Sequence, residues 1–181
     1  DITVEVNQAD DPAGLVLAGD FTHMTGGGLS VQTGGDPVLI DFSEKLLRVV
    51  VGSARLQVAN FLYVDGSFAL EKRAATVTLA DGTEVLTNYI TIGAAGVNAF
   101  AGLNGPATAD GALGLKLTNM DFGLALFSPD ESEDALSGIS WVALKATAAS
   151  VSFIGIPDVE ISGTNVSVAI NRVSGLAAAQ S

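Results

Sequence analysis

Three stretches of this sequence hold residue types that could do chemistry: a lone histidine, a glycine-rich run and a dense cluster of acids. His23 lies in GDFTHMTGGG (Gly19 to Gly28). One imidazole can act as a general base, yet the chain has no cysteine and no serine in a nucleophile-elbow pattern for it to activate. As a metal ligand it would draw on Asp20 or Asp36, and no spacing requires either, so a loop or strand-end histidine is expected. TGGGLSVQTGGDP (Thr25 to Pro37) has the glycines of a phosphate loop. It lacks the lysine and the following helix that would hold an anion, and turns around a short strand are expected instead.

Oxygen ligands are better supplied. SPDESED (Ser128 to Asp134) offers the carboxylates of Asp130, Glu131, Glu133 and Asp134 to calcium, which extracellular modules often bind weakly. The cluster has neither EF-hand order nor the nonapeptide of the calcium β-roll, and a solvated acidic loop is the competing account. Asp10 and Asp11 in NQADDP (Asn7 to Pro12) form a smaller calcium candidate, with ordinary turn chemistry as its alternative. Paired carboxylates also hydrolyse glycosidic bonds, but sugar sites are floored with aromatic rings and this chain has Trp141, Tyr63 and Tyr89 alone beside its phenylalanines. Trp141, in the alternating ISWVALKA, is expected in a core or interface. No enzyme is expected, and calcium is the one cofactor for which residues stand ready.

The elements that must position these residues are strands. The 181 residues are 48% hydrophobic but only 6% aromatic and 15% charged, so the apolar content is valine, leucine, isoleucine and alanine. A formal net charge of -12 repels nucleic acid and anionic headgroups, and no nucleic-acid partner is expected. Zero cysteines exclude disulfides and thiolate metal sites. A mean hydropathy of +0.44 raises the question of a membrane. Polar residues interrupt every apolar stretch well short of the ~18 residues of a spanning helix, and aromatics are too few for the girdles of a membrane barrel. No signal peptide is visible; the sequence starts within a strand-like segment, as an excised fragment or mature product would.

Leu46 to Leu79 alternates apolar with polar or small residues, punctuated by Gly52, Asn60 and Asp65-Gly66. Further runs follow at Glu84 to Ile92, Ala112 to Leu117, Phe122 to Phe127, Trp141 to Ala146, Val151 to Ile156, Val159 to Ser162 and Val166 to Arg172. The pattern predicts about a dozen strands of ordinary length. Gly93 to Leu103 and Asp130 to Ile139 are the two places where a helical turn is expected. Four segments share an outline of apolar residue, small polar corner and alternating strand: LQVANFLYV (from Leu56), LKLTNMDFGLAL (from Leu115), LKATAASVSFI (from Leu144) and ISGTNVSVAI (from Ile161). The corner is often asparagine, which tolerates left-handed backbone angles.

The ends also match. Ile2-Thr3-Val4-Glu5-Val6-Asn7-Gln8 and Val166-Ser167-Val168-Ala169-Ile170-Asn171-Arg172 agree in residue type at an offset of 164 (166 minus 2). Residues 1–181 thus read as one domain, a single unit with matching terminal strands at 1–8 and 165–172, expecting a neighbour at each end. VANFLYVDGSFALEKR (from Val58), TLADGTEVLTNYITIGAAGVNAFAG (from Thr78), LTNMDFGLALFSP (from Leu117) and the stretch from Trp141 to Asn171 carry a resemblance. Over roughly residues 14 to 172 the chain resembles the repeats of very large bacterial β-strand-repeat surface proteins, which often carry LEPR-XLL or haemolysin-type calcium-binding regions elsewhere. Members often have an acidic Asp-Asn-Gly-Asp insertion after an Asn-Gly-Pro stretch; here NGPATADGALG (Asn104 to Gly114) stands in its place.

The expected fold is all-β: an elongated multi-strand sandwich or solenoid-like β-roll of mostly successive strands with few short helical turns. The resemblance implies an extracellular or cell-surface module that acts as a stalk or spacer, partnered by copies of the same unit. A self-assembling filament or surface-layer subunit is the alternative, and a calcium-dependent adhesin module that binds a glycan or other cell-surface ligand is a third.

Overall fold

Alternating β-branched and leucine residues hold long stretches of this chain extended, and the hydrogen bonds of each stretch are completed by the stretch that follows it. The structure, a computed structural model, describes residues 1–8 and 18–175. Its strands are β1 (Ile2–Asn7), β2 (Leu29–Val31), β3 (Val38–Ile40), β4 (Leu46–Val58), β5 (Leu62–Thr78), β6 (Glu84–Leu103), β7 (Leu113–Pro129), β8 (Ser140–Ile154) and β9 (Ile161–Ser174). Seven form one antiparallel sheet in the order β1-β4-β5-β6-β7-β8-β9, and β2 pairs with β3 in a small separate hairpin. The fold is all-β and built from successive strands, as the alternation predicts. The sheet does not close among the described residues: β1 and β9 are its edges. Among the described residues no helix is long and apolar enough to cross a membrane.

Register sorts the side chains by face. Val4, Val49, Leu70, Ile92, Leu124, Leu144 and Ile170 stand opposite one another across all seven strands. Beside them runs a second apolar row, Ile2, Val51, Phe68, Ala94, Phe122, Ala146 and Val168. The alternate positions, on the other face, are small or polar along the row Glu5, Arg48, Glu71, Thr91, Ala125, Ala143 and Asn171, and next to it run Arg73, Tyr89, Phe127, Trp141 and Val173. A period of two makes this sorting inevitable once the pairing is fixed.

The strands are fewer and longer than the sequence predicts, and the reason is a crease. Asn119 (φ 48) and Asn165 (φ 53) adopt left-handed backbone inside β7 and β9, and both align with Ala149 of β8, since Met120 pairs with Ala148 and Ala148 with Val166. Gly96 (φ 62) sits at the same level in β6, Gly66 in the bulge of β5 and Gly52 in the irregular part of β4. Across this line the apolar set changes parity, from Phe122 and Leu124 to Leu115 and Leu117 in β7, and from Leu144 and Ala146 to Val151 and Phe153 in β8. A residue that is not extended breaks the alternation, so a single strand reads in sequence as two. The predicted pairs of runs at 112–117 and 122–127, 141–146 and 151–156, and 159–162 and 166–172 are therefore β7, β8 and β9. Gly93 to Leu103, expected to turn, is strand within β6; of the two helical turns expected, the one at Asp134–Leu136 forms, as a 3-10 turn. The corner at Asn60 differs again, being a hairpin turn in which Ala59 (φ 46) takes the left-handed angle.

Polar side chains brace the crease. Asn98 Oδ1 accepts from the Asn119 N–H at 3.2 Å, Asp121 Oδ1 accepts from the Gly96 N–H at 2.8 Å, and Asn98 Nδ2 donates to Asp65 at 3.2 Å. The best-buried side chains lie to either side of it: Val97 and Phe100 next to it, and Val85 and Thr87 at the β5–β6 turn. The 104–112 loop lies flat over Phe100, its Gly105 carbonyl accepting from Tyr63 Oη at 2.9 Å. A Cβ on Gly105 would come within 2.3 Å of the Tyr63 ring, so only glycine permits this approach. Asn119→Val should lower stability by about 1–2 kcal/mol, because a β-branched residue is forced left-handed, whereas Asn119→Gly should stay within a few tenths. Urea unfolding midpoints at unchanged slope measure the difference.

Candidate functional site

In the acidic loop two of the four candidate carboxylates, Asp130 and Glu133, are hydrogen-bonded. Asp130 Oδ1 accepts from the Ser132 N–H at 3.1 Å and its hydroxyl at 2.9 Å, while Oδ2 accepts from Asn88 Nδ2 at 3.0 Å. Glu133 Oε1 accepts from the Leu86 N–H at 3.1 Å, and the Asp130 N–H donates to the Leu86 carbonyl at 2.8 Å. The loop is thereby pinned along the start of β6. Glu131 and Asp134 are exposed. Among the described residues no group of three or more histidine, aspartate or glutamate side chains is arranged to hold a metal. The other calcium candidates, Asp10 and Asp11, lie outside the described residues.

His23 Nδ1 stands 3.0 Å from Asp20 Oδ2 in an exposed loop, and Asp20 also caps Thr22 through its N–H and hydroxyl. The glycine-rich run forms the β2–β3 hairpin, with Gly26, Gly27 and Gly34 at positive φ in its turns. Trp141 lies in a row with Tyr89, Phe127 and Val173, partly buried against a hollow of about 570 Å³. A second hollow of about 640 Å³ under the 104–112 loop is lined by Tyr63, Asp65, Asn98, Lys116 and Thr118 among others.

One constellation lies outside what the sequence predicts. Arg48 of β4 bonds Glu71 at 2.8 Å on β5 and Glu5 at 2.9 Å on β1. Arg73 pairs with Glu44 and lies 2.7 Å from Glu71, the latter an ion pair without an aligned hydrogen bond. Glu71, chiefly, and Glu5 hold the Arg48 guanidinium more firmly protonated than usual. The available signal is a charge at an alternate position of an otherwise apolar run, as in LLRVVV and LEKR. These pairs are partly exposed and contribute register more than energy.

What the molecule does present is edge and face. The two segments that match in sequence, residues 2–8 and 166–172, fall on β1 and β9, which among the described residues are the two open edges of the sheet. β1 is inverted in burial: Asn7 is 8% exposed and Glu5 intermediate, whereas Ile2 and Val4 are 72% and 61% exposed. Leu70, Val168 and Ile170, members of the aliphatic rows, are exposed as well, as are Leu56, Leu115, Leu126 and Ile161. Monomeric proteins rarely leave apolar patches of more than a few hundred Å² uncovered.

No family model, no curated protein and no solved structure matches this chain.

The Asp130 carboxyl is held below its usual range, chiefly by the Ser132 N–H, then by its hydroxyl, with Asn88 and Lys45 adding to the effect. Asp20 and Asp81 are lowered likewise, by Thr22 and Thr83. A depressed folded value gives stability that is complete above the unfolded carboxylate pKa of about 3.9 and is lost as pH falls through the folded value. Urea midpoints should therefore be flat above about pH 5 and fall below about pH 4. Asp130→Ala should lower stability at pH 7 by about 1–3 kcal/mol, and Asp130→Asn should remove part of the acid limb.

Proposed function

We propose that this chain is a structural module of a large exported bacterial surface protein, one of a series of like units that act together as a stalk or spacer. One observation carries the reading: the two stretches that match at an offset of 164 residues are the two open edges of a single sheet. An open edge bonds to whatever strand is offered, and a chain that keeps two of them, alike in sequence, is suited to neighbours of its own kind. The resemblance to bacterial β-strand-repeat proteins points the same way. Twelve more acids than bases (20 minus 8) keep a long array soluble and its units mutually repelled except where strands meet.

A second reading, a filament or surface-layer subunit assembling from separate chains, draws on the exposed aliphatic face. Light scattering at rising concentration separates the two: constant mass favours the module, growth favours the filament. The module reading itself is tested at the source cell. Antibody against the chain should label intact cells, and the flanking coding sequence should contain further units at the same spacing. Labelling only after permeabilisation, with unrelated flanks, would sink it.

A further inference from the structure

Among the described residues no strand lies beyond β9, whose outer edge offers a line of main-chain N–H and C=O groups. We propose that this edge takes the β4 strand of the next like unit, in a register the chain already displays once between β1 and β4. The inference rests on the reading of the chain as one of a series and adds to it the partner strand and the alignment.

The alignment follows from the sequence match. Ile2 stands opposite Val51, Val4 opposite Val49 and Val6 opposite Leu47. Carrying the offset of 164 across places Val166, Val168 and Ile170 opposite Val51, Val49 and Leu47 of the next unit. Each pair is aliphatic, and each lies on the face that carries the aliphatic rows, so those rows run on without a break. Ala169 replaces Glu5 opposite Arg48, which keeps Glu71 at 2.8 Å as its partner.

A second observation, independent of residue type, agrees. The same register sets Asn165, the left-handed residue at the crease of β9, opposite Gly52, where β4 slips its pairing with β5 between Val51 and Ala54. Two creased strands can pair along their length only if the creases coincide. The offset comes from matched side-chain types, which carry no information about where either strand bends.

Length and anchoring complete the fit. β1 accompanies β4 only as far as Val51, after which the Gly52 N–H donates to the Asp1 carbonyl, and Leu56 beyond it is 54% exposed. β9 has the additional stretch Ile161 to Asn165 that would lie along this remainder. Asn7 ends β1 by donating through Nδ2 to the carbonyls of Gly19 and Glu44, both at 2.8 Å, which ties down the connection to β4. Asn171 is its match and is exposed, in position to hold the connection to the next β4.

The test exploits the absence of cysteine, which makes any engineered pair the only thiols. The full chain carrying Val168→Cys is incubated in a glutathione redox buffer with a synthetic peptide of residues 46–58 carrying either Val49→Cys or Val51→Cys. The 168–49 disulfide should form at least about tenfold more readily than 168–51. A slip of two residues moves the Cβ atoms from about 5 Å to about 7–8 Å, outside disulfide reach. The same two pairs are then compared in a two-unit chain in which residues 1–171 run directly into 8–181. Closure of the existing pair in the full chain with Val4→Cys and Val49→Cys is the positive control. Preference for 168–49 in either format supports the docking; preference for 168–51, or none in both formats, overturns it. If like units flank the chain but no preference is found, the docking fails while the module reading stands; preference without flanking units keeps the docking and removes the module reading.

Discussion

Everything in this molecule depends on the pairing of each long strand with the next in one register. There is little enclosed core to fall back on: among the described residues the fully buried side chains are few. The backbone ladder and the cross-strand rows hold one another in place. A slip of one residue would turn the whole aliphatic set onto the face that carries Arg48, Glu71 and Lys145. The ion pairs linking Glu5, Arg48 and Glu71 across three strands resist that slip, since charges opposite the wrong neighbour would be desolvated without partners.

The crease is the second organising device. By bending β4 to β9 at one level it lets strands as long as 20 residues stay paired without accumulating the twist that limits flat sheets. Asparagine and glycine supply the left-handed angle at three of the six strands. Ala149, aligned between Asn119 and Asn165, is not itself at positive φ, which is why LKATAASVSFI echoes the other segments without an asparagine of its own. The sheet side of this is local chemistry; the functional side is that any strand joining the sheet must carry a bend at the same height.

How much of this was legible in sequence follows from distance along the chain. Alternation is a local property, and it led to the all-β fold of successive strands. The asparagine corners were legible too, as places of left-handed backbone, but whether such a corner separates two strands or lies inside one depends on the neighbour's register, which is not local. Asp130 could be singled out as an acid in a cluster; its partner Asn88 lies 42 residues away, so its part in fastening the loop to β6 leaves no local trace. The Glu5, Arg48 and Glu71 ladder spans three strands and leaves almost no trace in any one of them. The matched ends were visible from residue types alone, and only the strand order reveals that they are the sheet's two margins.

Asn7 closes the base of an excursion. Because its one side-chain amide grips the chain at Gly19 and again at Glu44, the departing and returning strands are fixed whatever lies between those points. The sheet is insulated from the contents of that insert, which evolution or an experimenter is free to lengthen, shorten or exchange. The β2–β3 hairpin now mounted there is in effect a replaceable head on a fixed handle.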